Sequence, residues 1–117
     1  MRIAITQWGA RISPAFDTAR VLLLVDLHAG EERGRFQASL EGLDLGARVR
    51  RLVQLGVDLL ICGAVSRSAQ ARLAARGIAV RPEVCGPWEE ALAAWRGGCL
   101  QQGRFYARGA PPAEPGA

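Results

Sequence analysis

The chain has 117 residues, 50% hydrophobic and 22% charged, a length and composition that predict one globular domain and exclude a disordered or fibrous protein. The formal net charge is +4, but all fifteen basic residues are Arg and they are scattered among eleven acids, which disfavours a nucleic-acid-binding surface. No apolar run reaches the roughly 20 residues that cross a bilayer, and the opening MRIAITQWG is typical of a strand rather than a leader, so we expect a cytoplasmic protein.

Hydrophobic periodicity predicts an element order of β-β-β-α-β-α-β-α. Between the first two strands lies a segment without a clear period, which contains Gly9 and Pro14; an irregular loop of this length is often functional. The Pro-, Gly- and Ala-rich residues 109–117 predict a disordered tail, so the single domain is expected to span residues 1–108. We expect strands at residues 2–6, 21–27, 34–39, 57–61 and 78–81, and helices at residues 45–55, 66–76 and 87–96.

The predicted elements assemble into an α/β domain. The second and third strands join most simply as an antiparallel hairpin, while right-handed crossovers through the helices make the first, fourth and fifth strands parallel. The expected result is a five-stranded mixed sheet in the order 3-2-1-4-5, with strand 2 antiparallel and three helices flanking it. This is the plan of the ribonuclease-H-like folds, but the sequence shows no acidic cluster of the kind that nuclease chemistry needs.

Two predicted strand-to-helix junctions carry the same dipeptide, Cys62-Gly63 and Cys85-Gly86. Ligands of open α/β sheets bind at the carboxyl ends of the strands, and these two strands are expected to be neighbours. A helix N-terminus lowers the pKa of a thiol and favours a bound anion, and thiolates are soft ligands that suit iron–sulfur clusters. The alternative reading is that either Cys packs in the core as a small apolar side chain.

The irregular loop and the next helix offer further groups to the same site. Trp8 and Phe16 would supply apolar cover, Arg11 a cation and Asp17 a hydrogen-bond acceptor. Each has a structural alternative, since the aromatic rings can pack on the sheet and Asp17 can cap a turn. Ser66 is expected to cap the helix first and to contact a ligand second.

The order and spacing of several segments resemble the dinitrogenase iron-molybdenum cofactor biosynthesis family. The resemblance covers residues 1 to about 100 and implies a ribonuclease-H-like fold. It further implies a carrier or binder of the iron-molybdenum cofactor or its iron–sulfur precursor, of the kind related to NifX, NafY and the C-terminal part of NifB, in a bacterial nitrogen-fixation pathway. The segments that carry it are MRIAI, RISPAFDTA, VLLLVD, LGVDLLICGAVSR and VCG.

One feature of that family is missing. Its nitrogenase-associated members carry a His-Phe-Gly type motif in the loop after the first strand, whereas residues 13–17 here read SPAFD. The single histidine, His28, falls in the predicted hairpin turn, away from the strand ends. The spacing of Cys62, Cys85 and Cys99 matches no zinc motif, and Cys99 is expected to be incidental.

Three readings of function follow. The first is a non-catalytic carrier that binds an iron–sulfur or iron-molybdenum type cluster transiently and exchanges it with donor or acceptor proteins. Such a carrier would be a monomer or homodimer and would have no nucleic acid or membrane partners. The second is a metal-free module for a small molecule or anion. The third is an enzyme, against which stands the absence of any recognisable catalytic motif. The predicted cofactor-binding residues are Cys62, Gly63, Cys85, Gly86, Trp8, Phe16, Asp17 and Ser66, with Cys62 and Cys85 as the metal ligands.

Overall fold

The computed structural model describes residues 1–98. These residues form a mixed α/β fold with six strands and three α-helices. The predicted tail at 109–117, and with it Cys99, lies outside the described residues. The elements are β1 (Arg2–Trp8), β2 (Arg11–Ile12), β3 (Val21–His28), β4 (Glu31–Ser39), α1 (Leu45–Gln54), β5 (Leu59–Ile61), α2 (Arg67–Ala75), β6 (Ala79–Arg81) and α3 (Trp88–Arg96), with a 3-10 turn at Phe16–Thr18.

The sheet is mixed and has the order β4-β3-β1-β5-β6, with β2 paired to β1 alone. Strand β1 is antiparallel to β3 and parallel to β5, and β5 is parallel to β6. The predicted strand order and the antiparallel direction of the second long strand are therefore confirmed. As a result, the carboxyl ends of β1, β5 and β6 lie at one edge of the sheet.

The prediction of five strands is wrong, because the loop after β1 contains a sixth. Strand β2 pairs antiparallel with the end of β1, with Trp8 opposite Arg11 and Gln7 opposite Ile12. Gly9 makes the tight turn between them with a φ of +60°, a conformation that favours glycine. A two-residue strand is too short to leave a periodic signal in the sequence.

The helices begin where the sequence places their caps. Asp44 accepts a hydrogen bond from the backbone N–H of Ala47 at 2.9 Å, and Ser66 accepts one from Ala69 at 3.1 Å. Each side chain satisfies one of the backbone donors left free in the first turn of a helix. The capping role predicted for Ser66 is confirmed, and Asp44 caps α1 in the same way. None of the helices within residues 1–98 is both long and apolar enough to cross a membrane.

Two hydrophobic clusters lie on the two faces of the sheet, because side chains alternate along each strand. Ile3 and Ile5 of β1 belong to the cluster that contains α3. Ala4 and Leu60 belong to the cluster that contains α1 and α2, and Cys62 continues the same face after the end of β5. This alternation determines which way each thiol points.

Candidate functional site

The β1–β2 hairpin is fixed against the Cys85-Gly86 junction. The N–H of Ile12 donates to the carbonyl of Gly86 at 2.9 Å, and the N–H of Trp88 donates to the carbonyl of Ala10 at 3.1 Å. The indole Nε1 of Trp88 also donates to the carbonyl of Gly9 at 3.0 Å. The start of α3 and the hairpin therefore form one wall at the carboxyl end of the sheet.

A second segment, residues 13–19, which we call the strap, crosses to the Cys62-Gly63 junction. The N–H of Phe16 donates to the carbonyl of Ala64, and the N–H of Ala64 donates to the carbonyl of Pro14, each at 2.8 Å. Gly63 lies so close beneath that a Cβ there would stand 2.3 Å from the Pro14 carbonyl oxygen. Only glycine allows the strap to approach this closely.

Arg48 of α1 attaches the strap to the helix through hydrogen bonds to backbone carbonyls. Its Nη1 donates to the carbonyls of Phe16 at 3.1 Å and Ala19 at 2.5 Å, and its Nε donates to the carbonyl of Leu43 at 3.0 Å. Arg48 is only 6% exposed, and burial lowers the pKa of its guanidinium, an effect that the charge of Asp17 partly opposes. The cation is balanced by carbonyl oxygens rather than by a paired carboxylate.

Arg48, Arg50 and Arg51 form the one Arg cluster of the sequence, and their alternation with apolar residues predicts a solvated helix face. The structure corrects this prediction for Arg48. Arg50 and Arg51 are exposed, but Arg48 is buried. Its guanidinium donates to the Ala19 carbonyl and adds a second donor to the Phe16 carbonyl, which also accepts from the N–H of Ala19. The helical period offers a signal for this role, since Arg48 falls on the same face as Leu45, Val49 and Leu52, whereas Arg50 and Arg51 do not.

Cys62 lies in the core. Its side chain is fully buried in the cluster on the α1 and α2 side of the sheet, and burial raises the pKa of its thiol. Its backbone joins the neighbouring strand, since its N–H donates to the carbonyl of Arg81 and its carbonyl accepts from Val84. In the structure as it stands, this thiol is protonated and closed to solvent.

Cys85 is half-buried and opens into a cleft of about 260 Å³ at the edge of the sheet. The cleft is also lined by Trp8, Arg11, Glu83 and Gly86. Trp8 is 69% exposed and stands at the rim. Within residues 1–98, Cys85 is therefore the one thiol that a solute can reach without movement of the protein.

The two junctions lie at the predicted end of the sheet but do not bring their sulfurs together. The strap contacts Gly63, and the hairpin contacts Gly86, so both dipeptides border the loop as expected. Cys85 lines the cleft, whereas the Cys62 side chain lies in the buried cluster on the α1 and α2 side of the sheet. Side-chain direction at a strand end depends on register, which the sequence pattern leaves open.

The other predicted site residues have mainly structural contacts. Phe16 is fully buried in the same cluster as Cys62. Asp17 is exposed, and its Oδ1 accepts from the N–H of Ser66 at 3.4 Å, while the Ser66 hydroxyl caps α2. Ser66 and Asp17 therefore join the strap to the start of α2.

The described residues contain no ready-made metal centre. In the range 1–98, no three His, Cys, Asp or Glu side chains are grouped so that they could hold a metal ion. A larger cleft of about 740 Å³ lies at the opposite end of the sheet and includes His28. That end carries the amino terminus of β1, so it is not where ligands of such sheets bind.

Comparison with known proteins identifies the family. The family model for the dinitrogenase iron-molybdenum cofactor matches residues 1–98. No curated protein sequence gives a significant match, but several solved structures share the fold. The crystal structure of the protein PH0822 superposes with a TM-score of 0.79 at 21% identity, over 84% of this chain and 90% of that chain.

Two further structures carry descriptive names. A candidate dinitrogenase of Methanocaldococcus jannaschii has a TM-score of 0.71 at 16% identity, over 85% of this chain and 90% of that chain. A candidate NifB protein of Thermotoga has a TM-score of 0.62 at 27% identity, over 84% of this chain and 89% of that chain. On the family match, the chain belongs to the dinitrogenase iron-molybdenum cofactor family.

Proposed function

We propose that the chain is a non-catalytic carrier of a metal cluster of the iron–sulfur or iron-molybdenum type, or of its precursor, and acts as an accessory of cofactor biosynthesis. Membership of the family supports a role related to the iron-molybdenum cofactor, and the likeness to the candidate NifB protein of Thermotoga agrees with it. The observation that carries the proposal is Cys85, a half-buried thiol that opens into a cleft at the carboxyl ends of parallel strands.

The groups around Cys85 suit a soft, anionic cargo. Arg11 lines the cleft, and its guanidinium makes no ion pair with any residue between 1 and 98. Cys85 also precedes the N-terminal end of α3, whose dipole favours negative charge, while the first N–H of the helix, that of Trp88, donates to Ala10. A thiolate binds iron, and Glu83 in the same cleft offers a carboxylate oxygen as a second ligand.

The small number of ligands favours transit over storage. An ordinary cubane cluster takes four Cys thiolates, and one accessible thiol from this chain satisfies only a fraction of that need. The remaining positions would be filled by the cluster's own ligands, by a donor or acceptor protein, or by a second copy of the chain. Weak, incomplete ligation allows rapid release to the next protein.

The sequence of the strap limits which kind of metal cluster the protein would carry. Residues 13–17 supply no histidine to the site, and His28 lies at the far end of the sheet. A cargo that needs an imidazole ligand would therefore be held poorly. We propose that the client is a thiolate-bound cluster or precursor, with Trp8 at the rim as apolar cover and Gly86 leaving room for its bulk.

Anaerobic reconstitution tests the proposal. The reduced protein would be incubated with ferrous iron and sulfide, separated from small molecules, and measured by absorption spectroscopy and metal analysis. The parent should bind iron and sulfide, and Cys85→Ser should lose most of both. Cys99→Ser is the matched control and should bind as the parent does. Equal uptake by the parent and Cys85→Ser would refute ligation by this thiol.

A metal-free anion-binding module is the second candidate, and the core position of Cys62 favours it. Because Cys62 is buried in the core, the other features of the cleft are Arg11 and a helix N-terminus, and such groups bind oxyanions without metal. Titration calorimetry with inorganic phosphate and molybdate distinguishes the two. Binding that is lost in Arg11→Gln, kept in Cys85→Ser and accompanied by no iron uptake would establish this alternative.

We also propose that the fold is of the ribonuclease-H-like kind. The supporting facts are the strand order β4-β3-β1-β5-β6 and the antiparallel direction of β3 beside β1. The extra strand β2 pairs only with β1 and leaves that order unchanged. The check is a superposition of the sheet on a nuclease of that class, with the five strands β4, β3, β1, β5 and β6 in register.

A further inference from the structure

A second cleft, of about 500 Å³, lies beside the Cys85 cleft and shares Trp8 and Pro14 with it. Its walls come from the end of β1, the strap and the start of β3. The volume is larger than that of the Cys85 cleft and falls within the range of small-molecule sites in proteins. The cleft is therefore large enough for an organic ring with one substituent.

Trp8 gives this cleft a flat aromatic wall. Its indole is 69% exposed, while its backbone is held in the β1–β2 hairpin opposite Arg11. An indole face that is open to solvent can stack on a planar ring, and such stacking accepts many kinds of ring. Pro14 and Val21 line the same cleft and add apolar surface.

Arg20, directly after the strap, supplies a positive charge. It is exposed, and its guanidinium makes no ion pair or hydrogen bond within residues 1–98. Among the described residues no acid lines the cleft, and Asp17, the nearest acid along the chain, accepts from the N–H of Ser66 instead. A guanidinium binds a carboxylate or phosphate through two parallel N–H groups. The cleft therefore favours an anionic group.

The remaining polar side chains differ in how far they are already engaged. Gln7 is held on both sides, since its Nε2 donates to the carbonyl of Gly9 at 3.1 Å and its Oε1 accepts from Gln37 at 2.8 Å. Ser13 lines the same cleft and is only 7% exposed, and its Oγ makes one long contact of 3.5 Å with the carbonyl of Ala15. One wall is therefore fixed in advance, and one hydroxyl keeps capacity for a ligand.

We propose that this cleft binds a small planar ring that carries a phosphate or carboxylate group. The ring stacks on Trp8, the anionic group pairs with Arg20, and the Ser13 hydroxyl bonds to a polar atom of the ligand. Nucleotides and aromatic carboxylates share this chemistry. The site uses neither a thiol nor a metal and therefore does not depend on the carrier function.

Two matched pairs of ligands test the site on the reduced, metal-free protein. Adenosine 5′-monophosphate is compared with adenosine, and nicotinate with nicotinamide, by titration calorimetry. At least one anion should bind about tenfold or more tighter than its neutral match, because Arg20 pairs only with the anion. The pair that shows the larger ratio indicates whether the natural ligand carries a phosphate or a carboxylate.

Variants assign the binding to the two side chains. Arg20→Gln should lower the affinity for the anion to that for the neutral match and should leave the neutral match unchanged. Trp8→Leu should weaken both by about tenfold and remove the quenching of tryptophan fluorescence by the ligand. Both side chains are exposed, so both variants should unfold in urea as the parent does. Arg50→Gln, an exposed change on α1, is the matched control and should bind as the parent does.

Three results would overturn the inference. The first is an affinity weaker than about 1 mM for both anions, and the second is equal affinity for each anion and its neutral match. The third is binding that is lost in Arg11→Gln and kept in Arg20→Gln, which would place the ligand in the Cys85 cleft. Because these titrations contain no iron, a failure of iron uptake leaves this site standing, and a failure of this site leaves the carrier function standing.

Discussion

The two Cys-Gly dipeptides of this chain are identical in sequence and opposite in environment. At Cys62-Gly63 the thiol is buried in the core and the glycine is pressed against the strap, with no space for a Cβ. At Cys85-Gly86 the thiol opens into the cleft, and the glycine is needed for its φ of +98°, while a Cβ there would meet nothing within 4 Å. One junction is covered by the strap, and the other faces the cleft.

The largest contrast is expected between the two glycines. Gly63→Ala forces a methyl group into the backbone of Pro14, and neither backbone can move without breaking the strap pairing. We expect a loss of roughly 3 kcal/mol in the free energy of unfolding, at the upper end of overpacking costs. Gly86→Ala adds strain from its positive φ alone and should cost about 1–2 kcal/mol. Urea unfolding measures the free energy of unfolding of both variants. Equal losses would contradict the difference between the two junctions.

The next largest effect on stability is expected from the loss of the buried guanidinium of Arg48. Arg48→Met removes the guanidinium donor of the Ala19 carbonyl and one of the two donors of the Phe16 carbonyl, which keeps the N–H of Ala19. We expect a loss of about 2 kcal/mol in unfolding free energy. Arg50→Met, an exposed change on the same helix, should stay within about 0.5 kcal/mol of the parent. A small, equal effect of both substitutions would show that the strap does not depend on Arg48.

Substitution of the two Cys residues should also destabilise the protein more at Cys62-Gly63 than at Cys85-Gly86. Cys62→Ser places a hydroxyl in an apolar cluster, which costs about 1–3 kcal/mol when no partner is present. Cys85→Ser, at the half-buried cleft, should change the free energy of unfolding by less than about 0.5 kcal/mol. The difference in urea midpoint between the two variants, at equal m-value, is the measurement. A larger loss for Cys85→Ser would reverse the assignment of core and cleft.

The smallest predicted effect is on pH dependence. Burial raises the pKa of the Cys62 thiol above its ordinary value of 9.0, so the folded protein keeps a proton that the unfolded chain releases. Its contribution to stability is fully present below pH 9 and is lost as the pH rises above it, at up to about 1.4 kcal/mol per unit. Between pH 8 and pH 10 the parent should therefore lose about 1 kcal/mol more than Cys62→Ala. Equal losses in urea unfolding would contradict the buried, protonated thiol.

Much of the scaffold was predictable because it depends on local rules. The strand order, the parallel direction of β5, and the caps at Asp44 and Ser66 follow from periodicity and from the chemistry of helix starts. Strand β2 was missed because two residues carry no period. The location of the site, at the carboxyl ends of parallel strands, was predictable from the sequence. The directions of its side chains were not.

What the sequence left open depends on three-dimensional register. The direction of Cys62 follows from its position one residue beyond β5, which no composition or spacing reveals. Arg48 is buried because a strap distant in sequence presents its carbonyls to it. The buried Thr6 hydroxyl makes no hydrogen bond within residues 1–98, and the sequence gives no signal of this, because it depends on where every neighbour lies.

Site-resolved alkylation tests the central claim, the inequality of the two junctions, most directly. The folded, metal-free protein would be treated with iodoacetamide and the modification of each Cys followed by peptide mass spectrometry, before and after reconstitution with iron and sulfide. Cys85 should react at least tenfold faster than Cys62, and reconstitution should protect Cys85. Alkylation of Cys62 as fast as Cys85, or a Cys85 left unprotected after the protein has taken up iron, would contradict the account.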